Sequence, residues 1–412
     1  DGDPLSYSAD QGGTNTSGTL TCSSSAFSEV LDLTSFAVGN ITLVISQTDT
    51  ASNSSSTTIT LTKISTNCDV TANRGNNYAS GLAGGSGTDT DPYIICTADQ
   101  LAEISNGLGD SYILGNDIYF DQSDTNGDFA INGVNGVDND YTSGSGWGPI
   151  GTFTGRLDGD LFTIKELTIS RSGTNYVGLF SQLEYTTYIT DIYFESPEVT
   201  GSQYTGTMSG LCKGLINNVH INSGTLNATS RSGGICGSNG FVSNSSYRGS
   251  VTGSSSEIGG IIGRIGYIFN SYVIGTVTGT TTIGGILGSG LWDSTEGGYL
   301  VRNSFFQGTV TGDGLAGGVA GTYAKVENSF SSGTVQWSSS GGGTYFGGII
   351  GYAGAIHNSF TTADVTSGSN TSKTGHITGS SSTVTSSYYY SGATCETSSA
   401  AACTAIYGTP VG

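Results

Sequence analysis

The stretch IGGIIGRIGYIFNSYVIGTVT, residues 258–278, decides the fold. It holds three strand-sized runs, Ile258 to Gly263, Tyr267 to Ile274 and Thr276 to Thr278, separated by glycine-containing corners and leaving no room for a helix. The phrase N-S-aromatic-x-x-G-x-V-x-G, followed by G-G-aliphatic-x-G, returns along the chain. Its Asn stands at Asn218, Asn244, Asn270, Asn303, Asn328 and Asn358, with Ser386 in the same slot, at spacings of 25 to 33 residues. Gly-Gly pairs begin at Gly233, Gly259, Gly284, Gly317 and Gly347, and a valine column runs through Val251, Val277, Val310, Val335 and Val365.

One such unit cannot bury its apolar side alone, so it must stack on its neighbours. Stacking sets equivalent residues about 4.8 Å apart. Like then lies on like. Tyr272, Phe305, Phe330, Phe360 and Tyr388 are expected to form an aromatic ladder, the valines an aliphatic one, and the asparagines an amide ladder. The fold class expected is all-β: a right-handed parallel β-solenoid, preceded by a small Ig-like β-sandwich. Around eight coils would make a rod of about 40 Å. Thr97 and Gln100 read as a capping box opening a short helix over 97–107, with Leu101 and Ile104 on one face, as a lid on the first coil.

Composition agrees. The 412 residues include 67 Gly but only 11% charged side chains, against about 25% in ordinary domains. Twelve basic against 32 acidic residues give a formal charge of −20, which argues against nucleic acid and against anionic membrane surfaces. No apolar run approaches the roughly 18 residues of a membrane helix. No signal peptide is read in the given residues, and Asp1 is expected to lie inside a processed or truncated chain.

Of seven cysteines, none forms a CxxC pair, so zinc is a poor reading. Cys68 with Cys96, and Cys395 with Cys403, are expected as disulfides of an oxidising compartment. Cys212 and Cys236 read as equivalent positions of adjacent coils, about 4.8 Å apart, as free thiols or a disulfide. Cys22 is odd, a candidate for contact with a partner outside this sequence.

The repeated unit resembles the GLUG-motif family of bacterial surface proteins. The signature stands as Ser209-Gly210-Leu211-Cys212, Gly234-Ile235-Cys236-Gly237, Gly260-Ile261-Ile262-Gly263, Gly285-Ile286-Leu287-Gly288, Gly318-Val319-Ala320-Gly321 and Gly348-Ile349-Ile350-Gly351. Gly85-Ser86-Gly87-Thr88 leading to Asp91-Pro92-Tyr93-Ile94-Ile95 looks like the opening of such modules, as does Gly151-Thr152-Phe153-Thr154-Gly155 followed by Leu157-Asp158-Gly159. The likeness covers roughly residues 68 to 408. It implies an adhesin or large secreted protein and carries over no catalytic residues.

Residues 1–64 lack the Gly-Gly beat. Runs at 19–22, 27–33, 40–45 and 58–62 alternate as half-buried strands, and 18–63 resembles the later part of a bacterial Ig-like repeat. Its first strand is expected to be missing, cut away or donated by another chain. The expected organisation is therefore 1–64 Ig-like, 65–177 lead-in and capping, 178–392 repeat solenoid, and 393–412 a disulfide loop and tail.

Asp121, Asp124, Asn126 and Asp128, within an oxygen-rich insertion over 121–140, are the best metal candidates and suit Ca²⁺, the one cofactor expected; the alternative is a solvated acidic loop. Ser250/Thr252, Thr276/Thr278 and Thr309/Thr311 would form an exposed hydroxyl grid, as ice-binding solenoids use, or simply follow β-propensity. His220, His357 and His376 lie in separate coils, and Asp191, Glu195 and Glu198 lack a companion base. Arg231, Arg248 and Arg264 fall in successive repeats at differing offsets. No enzyme is expected. The reading is an extracellular or cell-surface structural protein, an adhesin stalk or filament subunit, meeting other copies of itself or a surface or glycan ligand. A carbohydrate-binding or carbohydrate-active solenoid and an ice-binding solenoid are the alternatives.

Overall fold

The computed structural model describes residues 5–20, 36, 39–48, 52–63, 68, 82–120, 141, 144–291, 299–338, 344–368, 373–380, 382–397, 402–403 and 409–411. They fall into two compact units, Asp1–Asn67 and Cys68–Gly412.

In the first unit β1 (Leu5–Gln11), β2 (Thr14–Leu20), β3 (Gly39–Thr48) and β4 (Ser54–Lys63) form one antiparallel sheet in the order β2-β1-β3-β4. Gly12 and Gly13, at φ 58° and 111°, close a two-residue hairpin between β1 and β2, a turn that needs positive φ. Ala9, Phe36, Ile41 and Leu43 are buried, with Tyr7, Ile45 and Leu61 packed against them. The sheet is compatible with one layer of the expected sandwich. Two of the expected runs, 40–45 and 58–62, lie within β3 and β4, and β1 precedes the run from Gly18 on which the Ig-like likeness rests.

The second unit is a parallel β-solenoid. In the coil opened by residues 258–278, β5 (Ile262–Phe269), β6 (Tyr272–Thr278) and β7 (Thr282–Gly284) form successive sides. Each pairs in parallel with its counterparts in the coils before and after. The valine column is longer than the repeat alone suggests. It runs Ile169, Val199, Leu226, Val251, Val277, Val310, Val335, Val365 and Cys395, nine rungs in continuous register. The stack thus passes without a break through the boundaries read at 178 and 392. Inside it, Ile189, Ile216, Val242, Ile268, Val301, Val326 and Ile356 make a second fully buried column. Each such side chain contributes roughly 1.5–3 kcal/mol on burial.

The asparagine column has a cause beyond amide stacking. Asn218, Asn244, Asn270, Asn303, Asn328, Asn358 and Ser386 all sit at φ between 46° and 54°, the left-handed region that Asn tolerates best after Gly. They turn the chain between sides. The amide bonds run from Asn328 to Asn303, Asn303 to Asn270 and Asn270 to Asn244, each 3.1 Å. Asn244 then donates to Asn217 rather than Asn218 (2.8 Å), and Asn218 turns to Asp191. Asn270→Ala is expected to cost about 1–2 kcal/mol, through left-handed strain and two lost amide bonds, with Asn270→Gly recovering the backbone part. Urea unfolding of the two variants measures this.

The serine that follows each corner has the larger task. A left-handed corner interrupts the inter-coil ladder, and the next residue's N–H faces no carbonyl. Instead Ser245 N donates to Ser271 Oγ, Ser271 N to Ser304 Oγ, Ser304 N to Ser329 Oγ, Ser329 N to Ser359 Oγ and Ser359 N to Ser387 Oγ, at 3.0–3.3 Å. Every one of these hydroxyls donates in turn to the carbonyl two residues back, for example Ser304 Oγ to Arg302 O at 2.8 Å. All are buried.

The Gly-Gly pairs mark where coils touch. A Cβ on Gly285 would stand 2.1 Å from Gly318 O in the next coil. This register also corrects the cysteine reading. Cys236 pairs with Ser209, not with Cys212, so Thr207-Met208-Ser209-Gly210 occupies the signature's rung and the likeness drawn at 209–212 is displaced by two residues. Cys212 lies level with Leu183 and one step past the Leu211–Ser238 pair. That diagonal sets the Cα atoms 6.1 Å apart, and the two buried sulfurs form a disulfide. Cys68–Cys96 and Cys395–Cys403 are bonded as expected.

The helix α1 (Ala98–Ala102) continues as a 3₁₀ turn to Asn106. Thr97 Oγ1 accepts from Gln100 N, while Gln100 Oε1 reaches back to accept from Cys96 N (2.7 Å), one residue beyond the N-cap N–H of the standard box. Leu101 and Ile104 are buried in the core. The helix lies in the connection between parallel strands Tyr93–Ile95 and Ser111–Leu114.

Candidate interaction surfaces

With the corners and inner columns engaged in stacking, the solenoid's outward columns are what a partner can meet. The strand after each Asn-Ser corner presents paired hydroxyls flanking the buried valine. Thr225, Ser250, Thr276, Thr309 and Thr334 form one line, and Thr200, Asn227, Thr252, Thr278 and Thr311 the other, in register. Glu198 and Asp364 interrupt the first line, and Asn227 and Gln336 the second, where the Gln336 amide donates to Thr311 (3.3 Å). The expected grid is therefore real as a register and mixed in chemistry.

The strand before the corner carries an apolar stripe. Tyr188, Leu215, Phe241, Tyr267 and Leu300 follow one outward column. Phe241 is 40% exposed and Tyr267 43%, far more than aromatic rings usually are in a packed sheet. Phe269 and Tyr299 adjoin them, at ring distances of 5.3 Å to Phe241 and 5.1 Å to Tyr267. The sequence shows these rings, but only the register shows that they share a face. The aromatic ladder lies on the strand after the corner, with Tyr272 on Phe305 (4.9 Å, 4° between planes) and Phe330 on Phe360 (5.7 Å, 13°). His220 and Ser246 continue that column upstream.

Several of the described charged groups pair across coils. Tyr176 stacks on Tyr204 at 4.8 Å, Arg231 covers the Tyr204 ring, and Glu257 takes Arg231 Nε and Arg264 Nε at 2.9 Å each. The structure thus joins two of the three arginines that sequence offsets kept apart; Arg248 lies over Tyr272. Glu327 binds Lys325 and Arg302, which hold its carboxyl below the usual range. Asp191, Glu195 and Glu198 occupy separate columns: Asp191 at a corner under Asn218, Glu195 level with Lys165 and Asn222, Glu198 in the hydroxyl grid. Burial pushes the carboxyls of Asp158 and Asp160 up, and the neighbouring Asp191 charge adds to this.

The histidines serve the stack. His220 Nε2 meets Asn218 Oδ1 and Nδ1 meets Ser246 Oγ, both at 2.8 Å, and burial lowers its pKa, helped by Arg248. His376 stacks on Tyr389 at 4.2 Å. His357 lies in register with Glu327. Asp121, Asp124, Asn126 and Asp128, the Ca²⁺ candidates, lie outside the described residues, as does Cys22. Among the described residues no cluster of three or more His, Cys, Asp or Glu could hold a metal ion, and no helix is long and apolar enough to cross a membrane.

No family profile matches the chain. Among known proteins it is 34% identical over 163 residues to halomucin of Haloquadratum walsbyi, covering 37% of this chain and 2% of that protein. It is 30% identical over 156 residues to a Gly-rich membrane protein of Evansella cellulosilytica, covering 35% of this chain and 16% of the relative. The chain therefore spans only a small part of either relative's length.

Proposed function

We propose that this chain is a contact-making structural segment of an extracellular or cell-surface protein, an adhesin stalk or filament element of the GLUG-repeat type, without catalysis of its own. The observation that carries this reading is the aromatic stripe through Phe241 and Tyr267, held exposed on a wall whose other columns serve stacking. Exposed contiguous apolar surface is what soluble monomers avoid and what contact surfaces use. Three disulfides support an oxidising exterior, and the likeness to halomucin and to a membrane protein supports a surface setting. The charge of −20 supports solubility there.

Sedimentation and electron microscopy test this, run beside adhesion of protein-coated beads to bacterial cells. Self-assembly or adhesion is expected, and the double variant Phe241→Ser/Tyr267→Ser should abolish it without changing the circular dichroism. Discrete monomers at high concentration that also leave cells unbound would sink the proposal. The hydroxyl lines support a second reading, ice binding. Thermal hysteresis that disappears in Thr278→Tyr would favour it.

A further inference from the structure

A cavity of about 290 Å³ opens beside the first rungs, lined by Tyr93, Tyr112, Glu103, Asn106, Gly107 and Asp110. That volume lies at the lower edge of the ~300–1,000 Å³ usual for small-molecule sites. We propose that it binds a small organic ammonium ion of the trimethylammonium type.

The chemistry of the lining selects the ligand. Several hydrogen-bond donors of the lining are engaged within it: Asn106 Nδ2 donates to Glu103 Oε2 (2.6 Å) and Tyr112 Oη to Gly107 O (2.8 Å). The backbone N–H groups of Gly107 and Asp110 donate to Ile104 O and Gly107 O. What the cavity offers most is carboxylate oxygen and the half-buried Tyr93 ring, backed by the buried Tyr112 ring. Two carboxylates, Glu103 and Asp110, have no Lys or Arg partner within salt-bridge distance among the described residues, and both raise the Tyr112 hydroxyl's pKa behind the dominant effect of burial. The Tyr93 and Tyr112 rings stand 5.7 Å apart at 39°. The two carboxylates repel an anion. A hard metal ion would find only these two carboxylates. A cation with an apolar shell matches both halves of the lining.

The rest of the solenoid shows the same preference with its own side chains. Lys165 lies 4.4 Å from the Tyr119 ring centre, Lys373 4.9 Å from Tyr345, and Arg231 5.2 Å from Tyr204. In the cavity, among the described residues, rings and acids are present without a base. Gly107 keeps the space open, since a Cβ there would lie 2.3 Å from Asp110 Oδ2 and 2.4 Å from Tyr112 Oη.

Calorimetry on the full chain tests this with choline and with its neutral isostere 3,3-dimethylbutan-1-ol. Choline should bind and the alcohol should not. Glu103→Gln and Asp110→Asn should each weaken choline about tenfold, and the pair should abolish binding, with the melting temperature unchanged. Absence of binding at about 10 mM choline, equal binding of the alcohol, or full binding by the double variant would each overturn the proposal.

Discussion

Gly308→Ala is expected to lower stability by about 4 kcal/mol, among the largest losses for a single methyl group. Gly308 sits at φ 148°, and a Cβ there would lie 1.8 Å from Gly275 O in the preceding coil. The same contact recurs along Gly249, Gly275, Gly308 and Gly333, so the backbone cannot yield at one rung without straining the next. Parallel strands here approach too closely for any side chain. A control is Gly173→Ala, where a Cβ meets nothing within 4 Å and the effect should be small. Denaturant midpoints of the two variants compare these directly. Equal midpoints would show that the coils can separate at the glycine column.

Ser304→Ala should cost about 2–3 kcal/mol, more than an exposed hydroxyl could. Removing Oγ leaves Ser271 N–H without its partner and takes from Arg302 C=O one of two donors, the other being Asn270 N–H. Ser304 is only 3% exposed, so water is a poor replacement. Amide exchange gives the specific sign: the Ser271 N–H should lose protection far beyond its share of the global change. Uniform loss across the stack would show instead that the serine column is ordinary packing.

These two columns show how much of the fold is legible in sequence. The Asn, Val and Gly-Gly beats are periodic, and periodicity alone predicts a stack. What they do for the backbone is less visible. The left-handed corner at Asn303 is a dihedral, not a residue type, and the task of Ser304 exists only because of that corner. The displaced Cys212 followed from the same limit. A two-residue shift in one coil keeps the glycine pattern readable while moving the cysteine off the rung. The nine-rung column passed unnoticed at both ends because Ile169, Val199, Leu226 and Cys395 differ in type while filling one place.

The candidate surfaces were less legible still. Phe241 and Tyr267 are separated by a full coil, and nothing in their spacing says that they face outward together. Glu257 draws Arg231 and Arg264 onto itself across coils, which offsets from the ladder Asn could not reveal. Glu103, Asp110, Tyr93 and Tyr112 surround one space only because a helix intervenes between two adjacent parallel strands.

The serine relay has one more consequence. Each hydroxyl answers the coil before it and each serine N–H asks the same of the coil after it, so every junction has an identical socket and plug. Excising residues 303–327, from one corner asparagine to the residue before the next, would set Ser271 N–H against Ser329 Oγ with the same chemistry as before. Length in such a chain is a modular quantity, gained or lost in whole coils, and a lineage could retune its reach without redesigning a single joint.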